Sequence, residues 1–349
     1  MSSKSVILLN GAKKSSGIGR YSQITYEAIQ DVAELISMAF SREDYDAGLP
    51  GNVITGLFPP VTSGWFINTN FQTLVYRKLL KHCKRTQERG GIIHYTDPYI
   101  KQLSGDGRSL VNIYDLFPLA NENWSPPMWK KYAAKCLNEF KRAENILTSS
   151  NKSKKEIEEN GFNGKVHMIY PYVALPFRKE INKEQARDIL GLPREKKLIL
   201  TVSSKSGRKN LSLIKEIVSS LSDDFLLLRV GSDIGTGKTF VNIDDETLNL
   251  IYRSSDVLLF PTKDEGFGFP IIEALATGLP IVTTELEITT EIAGKTAVFM
   301  ENTVMSGISS VNEALNSADS LSRSGRERAK LFQKDIFRSE LLECYSKIR

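Results

Sequence analysis

Two glutamates with seven residues between them hold the stretch of this chain best suited to chemistry. Glu265 and Glu273 lie in PTKDEGFGFPIIEALATGLPIV, residues 261–282. A short apolar run ends at Phe260, a turn of Gly266, Phe267 and Gly268 follows, and a helix is expected from Pro270. Proline suits the first helical position, because the amide hydrogen it lacks would have had no partner there. The remaining amides and the positive dipole end make that helix start a site for an anion. The glycines let backbone approach a ligand with no side chain in the way. Such a loop suits a phosphate. Glu273, on the first turn of the expected helix, would by itself do no more than complement the helix dipole.

Three other stretches compete for the same chemistry. GSDIGTGKT, residues 231–239, follows a strand as a P-loop would, but five residues separate Gly231 from Gly237, where a P-loop has four. FVNIDDE follows it, and the next helix is capped only at Asp244 or Asp245. Gly17, Gly19 and Ser22 form an incomplete G-x-G-x-x-G between a strand and a helix, able to cradle a dinucleotide. The gap before these glycines is long, and the second strand runs into Ser41 and Arg42 instead of the acidic residue that marks nicotinamide-binding units. SSKSGRKNL, residues 203–211, sets Arg208 and Lys209 between a strand and a helix with Asn210 placed to cap it. Such a basic pair is either a solvated face or an anion site.

EGFGFPIIEALATGLPIV resembles, nearly residue by residue, the glutamate-seven-glutamate signature of glycosyltransferase family 4. The resemblance implies that Glu273 binds the ribose hydroxyls of a nucleotide-sugar and that Glu265 faces the transferred sugar. GIGRYS, with Gly17 and Gly19, resembles the family's glycine-rich first loop, whose backbone approaches the donor diphosphate. Arg208 and Lys209 stand where the family holds that diphosphate, and fixed cations there would stabilise the charge growing on the leaving group. Ser203, Ser204 and Lys205 depart from the commoner forms of this segment. LVNIYDLFPL, residues 110–119, resembles a segment that usually reads His-Asp-Leu, so Tyr114 replaces the histidine and Asp115 is kept. Both become candidates for contact with the sugar or the acceptor. ILTSSNKSKKEIEENGF and KVHMIYPYV resemble the run before the family's interdomain linker, so the likeness spans most of the chain.

The resemblance implies a retaining transferase moving a hexosyl unit, mannosyl or glucosyl, from a nucleoside-diphosphate sugar to a hydroxyl of a glycan or lipid-linked acceptor. GDP-mannose and UDP-glucose both fit. No metal and no cofactor are expected, since cations and helix amides would hold the diphosphate. The rival readings are a P-loop or NAD-type nucleotide enzyme and a non-catalytic nucleotide-sugar-binding protein on the same scaffold, to which Tyr114 is the one pointer.

The elements that must position these residues alternate. Strands are expected at 5–9, 35–40, 91–95, 110–114, 145–148 and 166–169, with helices at 20–30, 70–89, 125–143 and 150–160. YPYVALPF, residues 170–177, breaks the pattern with two prolines. Strands then recur at 198–202, 225–230, 257–260 and 281–283, with helices from Asn210, Asp244 and Pro270, and the chain reads as helical beyond Gly307. Alternation of this kind gives parallel sheets covered on both faces. The expected fold is α/β, of the GT-B type, with two doubly wound Rossmann-like domains facing across a cleft. Residues 1–172 form the acceptor-side domain and residues 173–334 the nucleotide-sugar-binding domain. The resemblance implies that the C-terminal helix, 335–349, returns to the first.

The 349 residues are 41% hydrophobic and 25% charged, the balance of a soluble globular chain. No apolar run reaches the length of a membrane span, and the Val6–Leu9 run is too short for a signal peptide, so a cytoplasmic protein is expected. Cys83, Cys136 and Cys344 are odd in number and far apart, which argues against a disulfide framework. His82, His94 and His167 share no metal-ligand spacing with each other or with the cysteines. A net charge of +5 favours anionic ligands, yet no nucleic-acid module accompanies it. Residues 71–89 carry Arg77, Lys78, Lys81, Lys84, Arg85 and Arg89 against Glu88, with an apolar stripe of Phe71, Leu74, Val75 and Leu79. This helix could make a peripheral contact with the cytoplasmic face of an anionic membrane.

Overall fold

Apolar runs of four to six residues bounded by turn residues are what a parallel strand buried on both faces looks like in sequence. In the computed structural model, which describes residues 5–13, 16–39, 51–55, 70–100, 108–119, 127–174 and 181–348, they form two parallel sheets. The chain divides into two compact units, one of residues 1–171 with 334–349, the other of residues 172–333.

The first unit holds strands β1 (Val6–Asn10), β2 (Ala33–Ala39), β3 (Asn52–Thr55), β4 (Ile92–Tyr95), β5 (Ser109–Asn112), β6 (Asn145–Thr148) and β7 (Lys165–Met168). They lie in the order β3-β2-β1-β4-β5-β6-β7. The order reverses at β1 and β4, whose register sets Val6 beside Ile92 and Leu9 beside Tyr95. Its helices are α1 (Gly17–Ile29), α2 (Asn70–Glu88), α3 (Pro127–Glu139) and α4 (Asn151–Glu159). Ile7, Leu9, Ile93, Val111 and Ile146 of the strands pack with Leu79, Cys83 and Leu137 of the helices into one core.

The second unit holds α5 (Lys183–Leu190), β8 (Lys197–Val202), α6 (Leu211–Ser219), β9 (Phe225–Val230), β10 (Lys238–Phe240), α7 (Asp245–Ser254) and β11 (Val257–Phe260). It continues with α8 (Phe269–Thr277), β12 (Ile281–Thr284), α9 (Glu287–Ala293), β13 (Val298–Met300), α10 (Val304–Asn316) and α11 (Ala318–Ala329). The strand order is β10-β9-β8-β11-β12-β13, which reverses at β8 and β11. Ile199, Leu227, Leu259 and Val282 of the strands and Ile214, Ile217 and Val311 of the helices form its core.

The chain then returns to the first unit as α12 (Lys334–Ser346). Phe337 packs edge-on against Tyr21 of α1 at 6.0 Å, and Arg338 makes a two-pronged pair with Asp31, 2.7 and 2.8 Å. Arg108 fixes the segment after this helix through the Ile348 carbonyl at 2.9 Å.

Several sequence expectations shift. The strand at 110–114 is over at Asn112, so Tyr114 stands beyond it. Strand β2 is described to Ala39, leaving Phe40 outside the described residues, as are residues 125 and 126 of the third helix and 175–177 of the proline-broken linker. The helical tail expected beyond Gly307 comprises α10, α11 and α12. The near-P-loop runs into β10, an edge strand in which Lys238 pairs with Leu228, so no helix opens there to receive a phosphate. Asp244 does cap α7, accepting from the Thr247 amide at 2.8 Å. Asn210 precedes α6 but its side chain does not cap it: its amide group donates to Asn302 at 3.0 Å instead.

Candidate active site

In a doubly wound sheet, ligands bind outside the carboxyl ends of the strands where the order reverses. In the second unit that place lies between β8 and β11, and the loops leaving these two strands are the ones that carry Arg208, Lys209 and Glu265. The loops are stitched together through backbone: the Lys263 amide donates to the Arg208 carbonyl at 2.7 Å.

Glu265 is 5% exposed. Its Oε2 accepts from Arg208 Nη1 at 2.7 Å, its Oε1 accepts from Lys209 Nζ, and the Thr262 hydroxyl lies 3.1 Å from Oε1. Burial by itself would push the Glu265 carboxyl up. The charges and hydrogen bonds of Lys209 and Arg208 outweigh it and hold the carboxyl below its ordinary value. Lys209 also stands over the Phe260 ring at 5.2 Å, and Arg208 reaches the Asp264 carbonyl at 3.1 Å. Lys205 is exposed, beside this cluster in sequence but not in its ion pairs.

Glu273 is buried in α8. It accepts from the Tyr252 hydroxyl of α7 at 2.6 Å. Helix α8 starts at Phe269 with Pro270 second, so Glu273 lies beyond the first turn, which contains no acidic residue. The dipole-complementing role is thereby corrected, since that effect fades within one turn. Gly268 caps the helix at φ +101°, a conformation that favours glycine, and no side chain caps the first turn. Gly266, Phe267 and Gly268 are all buried. Phe267 packs edge-on against Phe269 at 5.5 Å and Phe332 at 6.1 Å, which makes it a packing residue of the turn.

In the first unit the order reverses at β1 and β4. Ser16 caps α1, its hydroxyl accepting from the Gly19 amide at 3.0 Å. A Cβ on Gly19 would stand 1.9 Å from the Lys13 carbonyl oxygen, so this glycine serves the close approach of its own loop. Among the described residues nothing lies within 4 Å of where a Cβ on Gly17 would be.

Tyr114 donates its hydroxyl proton to the Thr96 carbonyl at 2.6 Å and accepts from Asn112 Nδ2 at 2.8 Å. That leaves Asn112 Oδ1 to accept from His94 Nε2 at 2.7 Å, and His94 Nδ1 to accept from Tyr345 at 2.6 Å. One chain of hydrogen bonds thus joins α12 to Tyr114. Burial first, and Tyr21 beside it, push the Tyr114 hydroxyl well above its ordinary range, so it stays neutral. Asp115 accepts from the Phe117 amide at 3.2 Å.

Sequence reading missed Asp97, at the carboxyl end of β4. It is 5% exposed, and burial pushes its carboxyl up to about 6 against the opposing hydrogen bonds of the Tyr99 and Gly11 amides. Those amides come from the two loops that meet at the reversal, a pairing no local pattern announces. Among the described residues no group of three or more His, Cys, Asp or Glu is placed to hold a metal ion.

Residues 182–331 match the family model described as glycosyl transferases group 1. The second unit thus carries a glycosyl transferases group 1 domain, and the fold is of the GT-B type. It is 22% identical over 318 residues to RfbU, an O-antigen chain mannosyltransferase of Salmonella typhimurium, covering 82% of this chain and 84% of that one. It is 26% identical over 212 residues to TuaC of Bacillus subtilis, whose name assigns it to teichuronic acid biosynthesis; the match covers 57% of this chain and 49%, about half, of TuaC. The structure of HepE from Anabaena with UDP and glucose superposes with a TM-score of 0.74 at 14% identity, covering 99% of this chain and 100% of that one.

Proposed function

We propose that this protein is a retaining glycosyltransferase of family 4 that transfers a hexosyl unit, with mannosyl favoured, from a nucleoside-diphosphate sugar to a hydroxyl of a glycan or lipid-linked acceptor. The observation that carries the reading is the buried Glu265 carboxylate held by Arg208 and Lys209 at the strand reversal of the second unit, with Glu273 further on in the helix that follows. The name of RfbU supports the mannosyl preference and a bacterial glycan as acceptor. UDP and glucose, named with HepE, keep UDP-glucose as the alternative donor.

In this reading the second unit holds the donor and the first unit the acceptor. The Glu273 carboxylate, oriented by Tyr252, accepts from the ribose hydroxyls. Arg208, Lys209 and the amides at the start of α8 take the diphosphate, helped by the backbone of Gly266 and Gly268. Gly17 supplies an unobstructed backbone approach to the donor, with Gly19 keeping its loop in place. As the anomeric carbon–oxygen bond breaks, its electron pair stays with the phosphate oxygen, and fixed cations stabilise that charge. The acceptor oxygen bonds to the anomeric carbon on the same face and gives its proton to the departing phosphate. Glu265 faces the sugar, and Asp115 binds a sugar or acceptor hydroxyl. Tyr114, neutral and with its proton given to the Thr96 carbonyl, serves to position its neighbours and not as an acid or base.

With Arg208 and Lys209 supplying the positive charge, transfer is expected to need no divalent metal. The exposed cations Arg77, Lys78, Lys81, Lys84 and Arg85 of α2 would attract an anionic lipid surface. Leu79 of its apolar stripe is buried in the core of the first unit, and the side chains of Phe71, Leu74 and Val75 lie outside the described residues. The contact proposed is therefore electrostatic.

A donor screen with radiolabelled GDP-mannose and UDP-glucose, read as transfer or slow hydrolysis, tests the reading. Turnover of one donor that survives EDTA and disappears in Glu265→Ala is expected. Turnover of neither, or turnover restored only by manganese after chelation, would count against it.

A further inference from the structure

Arg229, last but one in β9, heads the described side chains that are both large and fully buried, at 0% exposure. Its Nη2 donates to the Ser203 carbonyl at 2.5 Å and its Nη1 to the Ser203 hydroxyl and the Val230 carbonyl, both at 3.0 Å. Its Nε reaches the Ser232 carbonyl at 3.3 Å. Every one of these acceptors is a neutral oxygen, and no ion pair of the described residues includes Arg229. Burial pulls its pKa down from the ordinary value, but a guanidinium stays charged in a protein. A buried cation without a counter-ion is expensive to keep, so its place in the molecule asks for a reason.

The site is built for it. Gly231 has φ +129°, and a Cβ there would stand 2.2 Å from the Ser203 carbonyl oxygen and 2.9 Å from Arg229 Nη2. Only a residue without a side chain lets the guanidinium meet that carbonyl. Ser203 is the first residue after β8, and the same loop runs on to Arg208 and Lys209. Those two cations have Glu265 as a partner, whereas Arg229, on the neighbouring strand, leaves its charge uncompensated at the same carboxyl edge of the sheet. A doubly charged group arriving at that edge would supply the missing negative charge.

We propose that Arg229 is a positioning residue for the donor's diphosphate. It fixes the 203–209 segment through Ser203 and biases this edge of the sheet toward a polyanion. The inference rests on the donor reading given above.

The test is calorimetric titration of the full chain with UDP, GDP and the matching nucleosides. Wild type should bind one diphosphate much more tightly than its nucleoside. Arg229→Gln should lose about tenfold of that preference, a change of about 1.4 kcal/mol, while its nucleoside affinity stays put, and Arg229→Lys should keep most of it. A merely structural role would weaken both ligands together. Ser203→Ala, which removes one acceptor and leaves the charge, covers the case in which the Gln variant does not fold; it should raise the donor KM with kcat unchanged. A folded Arg229→Gln with the wild-type preference, or a Ser203→Ala with the wild-type KM, overturns the inference alone. A wild type that does not distinguish diphosphate from nucleoside overturns the donor reading and takes this inference with it.

Discussion

Glu265 and Arg208 form an ion pair of 2.7 Å in which the carboxylate occupies the cation that a donor phosphate would need. Lys209 is held by the same carboxylate. A diphosphate bound as proposed would have to share these cations with Glu265 or take them from it.

Glu265→Gln should separate binding from catalysis. With the carboxylate charge gone, Arg208 and Lys209 turn to the ligand, and the nucleoside diphosphate should bind up to about tenfold tighter. Transfer should fall by ~10²- to 10³-fold, the usual loss when a charge that acts in the transition state is removed. Calorimetry and a transfer assay on one preparation decide it, and weaker binding together with slower transfer would refute the competition.

Tyr252→Phe removes the hydroxyl that donates to Glu273 at 2.6 Å. A hydrogen bond to a charged partner contributes about 1.5–3 kcal/mol. Affinity for the free nucleoside should therefore drop at least tenfold, while the ratio of diphosphate to nucleoside affinity stays at the wild-type value. A changed ratio would mean that Glu273 does not serve the nucleoside end.

Two buried groups of the first unit should give opposing pH dependences. Burial lowers His94 from 6.5 to about 4, against the opposing Asn112 hydrogen bond. The unfolded chain then binds a proton that the folded one refuses between these values, so stability falls as pH drops through that window, by about 3 kcal/mol in all. Burial raises Asp97 from 3.8 to about 6. There the folded state holds the extra proton, so stability is full below 3.8 and is lost as pH rises through 6, by a similar amount of about 3 kcal/mol. The two contributions nearly cancel between pH 4 and 6. Urea unfolding should show His94→Gln gaining stability as pH falls from 6 to 4.5 and Asp97→Asn losing it. Parallel slopes in the two variants would remove the argument.

The two glycines of the first loop should behave differently. Gly19→Ala drives a methyl group into the Lys13 carbonyl and should lower the unfolding temperature markedly. Gly17→Ala meets no atom of the described residues within 4 Å. It should leave stability within about 0.5 kcal/mol and, if Gly17 approaches the donor as proposed, raise the donor KM. Unchanged kinetics in Gly17→Ala would take this loop out of the donor site.

The apolar strands were legible because parallel sheets bury both faces: LILTV, FLLLRV and VLLF could be little else. The three strands that escaped notice, β3, β10 and β13, are all sheet edges of three or four residues, without the apolar run of an inner strand on which to rest a reading. Helix α5 was missed although its start was written out, with Asn182 and Gln185 forming a capping box. At the site, the glutamate spacing and the Arg208–Lys209 pair were visible as local strings. Arg229 was not, since inside an apolar strand it looks like an interruption until the Ser203 loop and Gly231 are brought beside it. Asp97 was hidden for the same reason, its two amide partners lying in loops more than eighty residues apart in the chain.

The nesting of one unit inside the other bears on how the protein is made. Residues 172–333 are complete when Gln333 leaves the ribosome, whereas the first unit still lacks Phe337, which packs on Tyr21, and Tyr345, which ends the hydrogen-bond chain to Tyr114. During synthesis the later unit should thus reach its native state before the earlier one. A nascent chain stalled with Gln333 just outside the ribosome should show a protease-resistant second unit beside a first unit that is still open to cleavage.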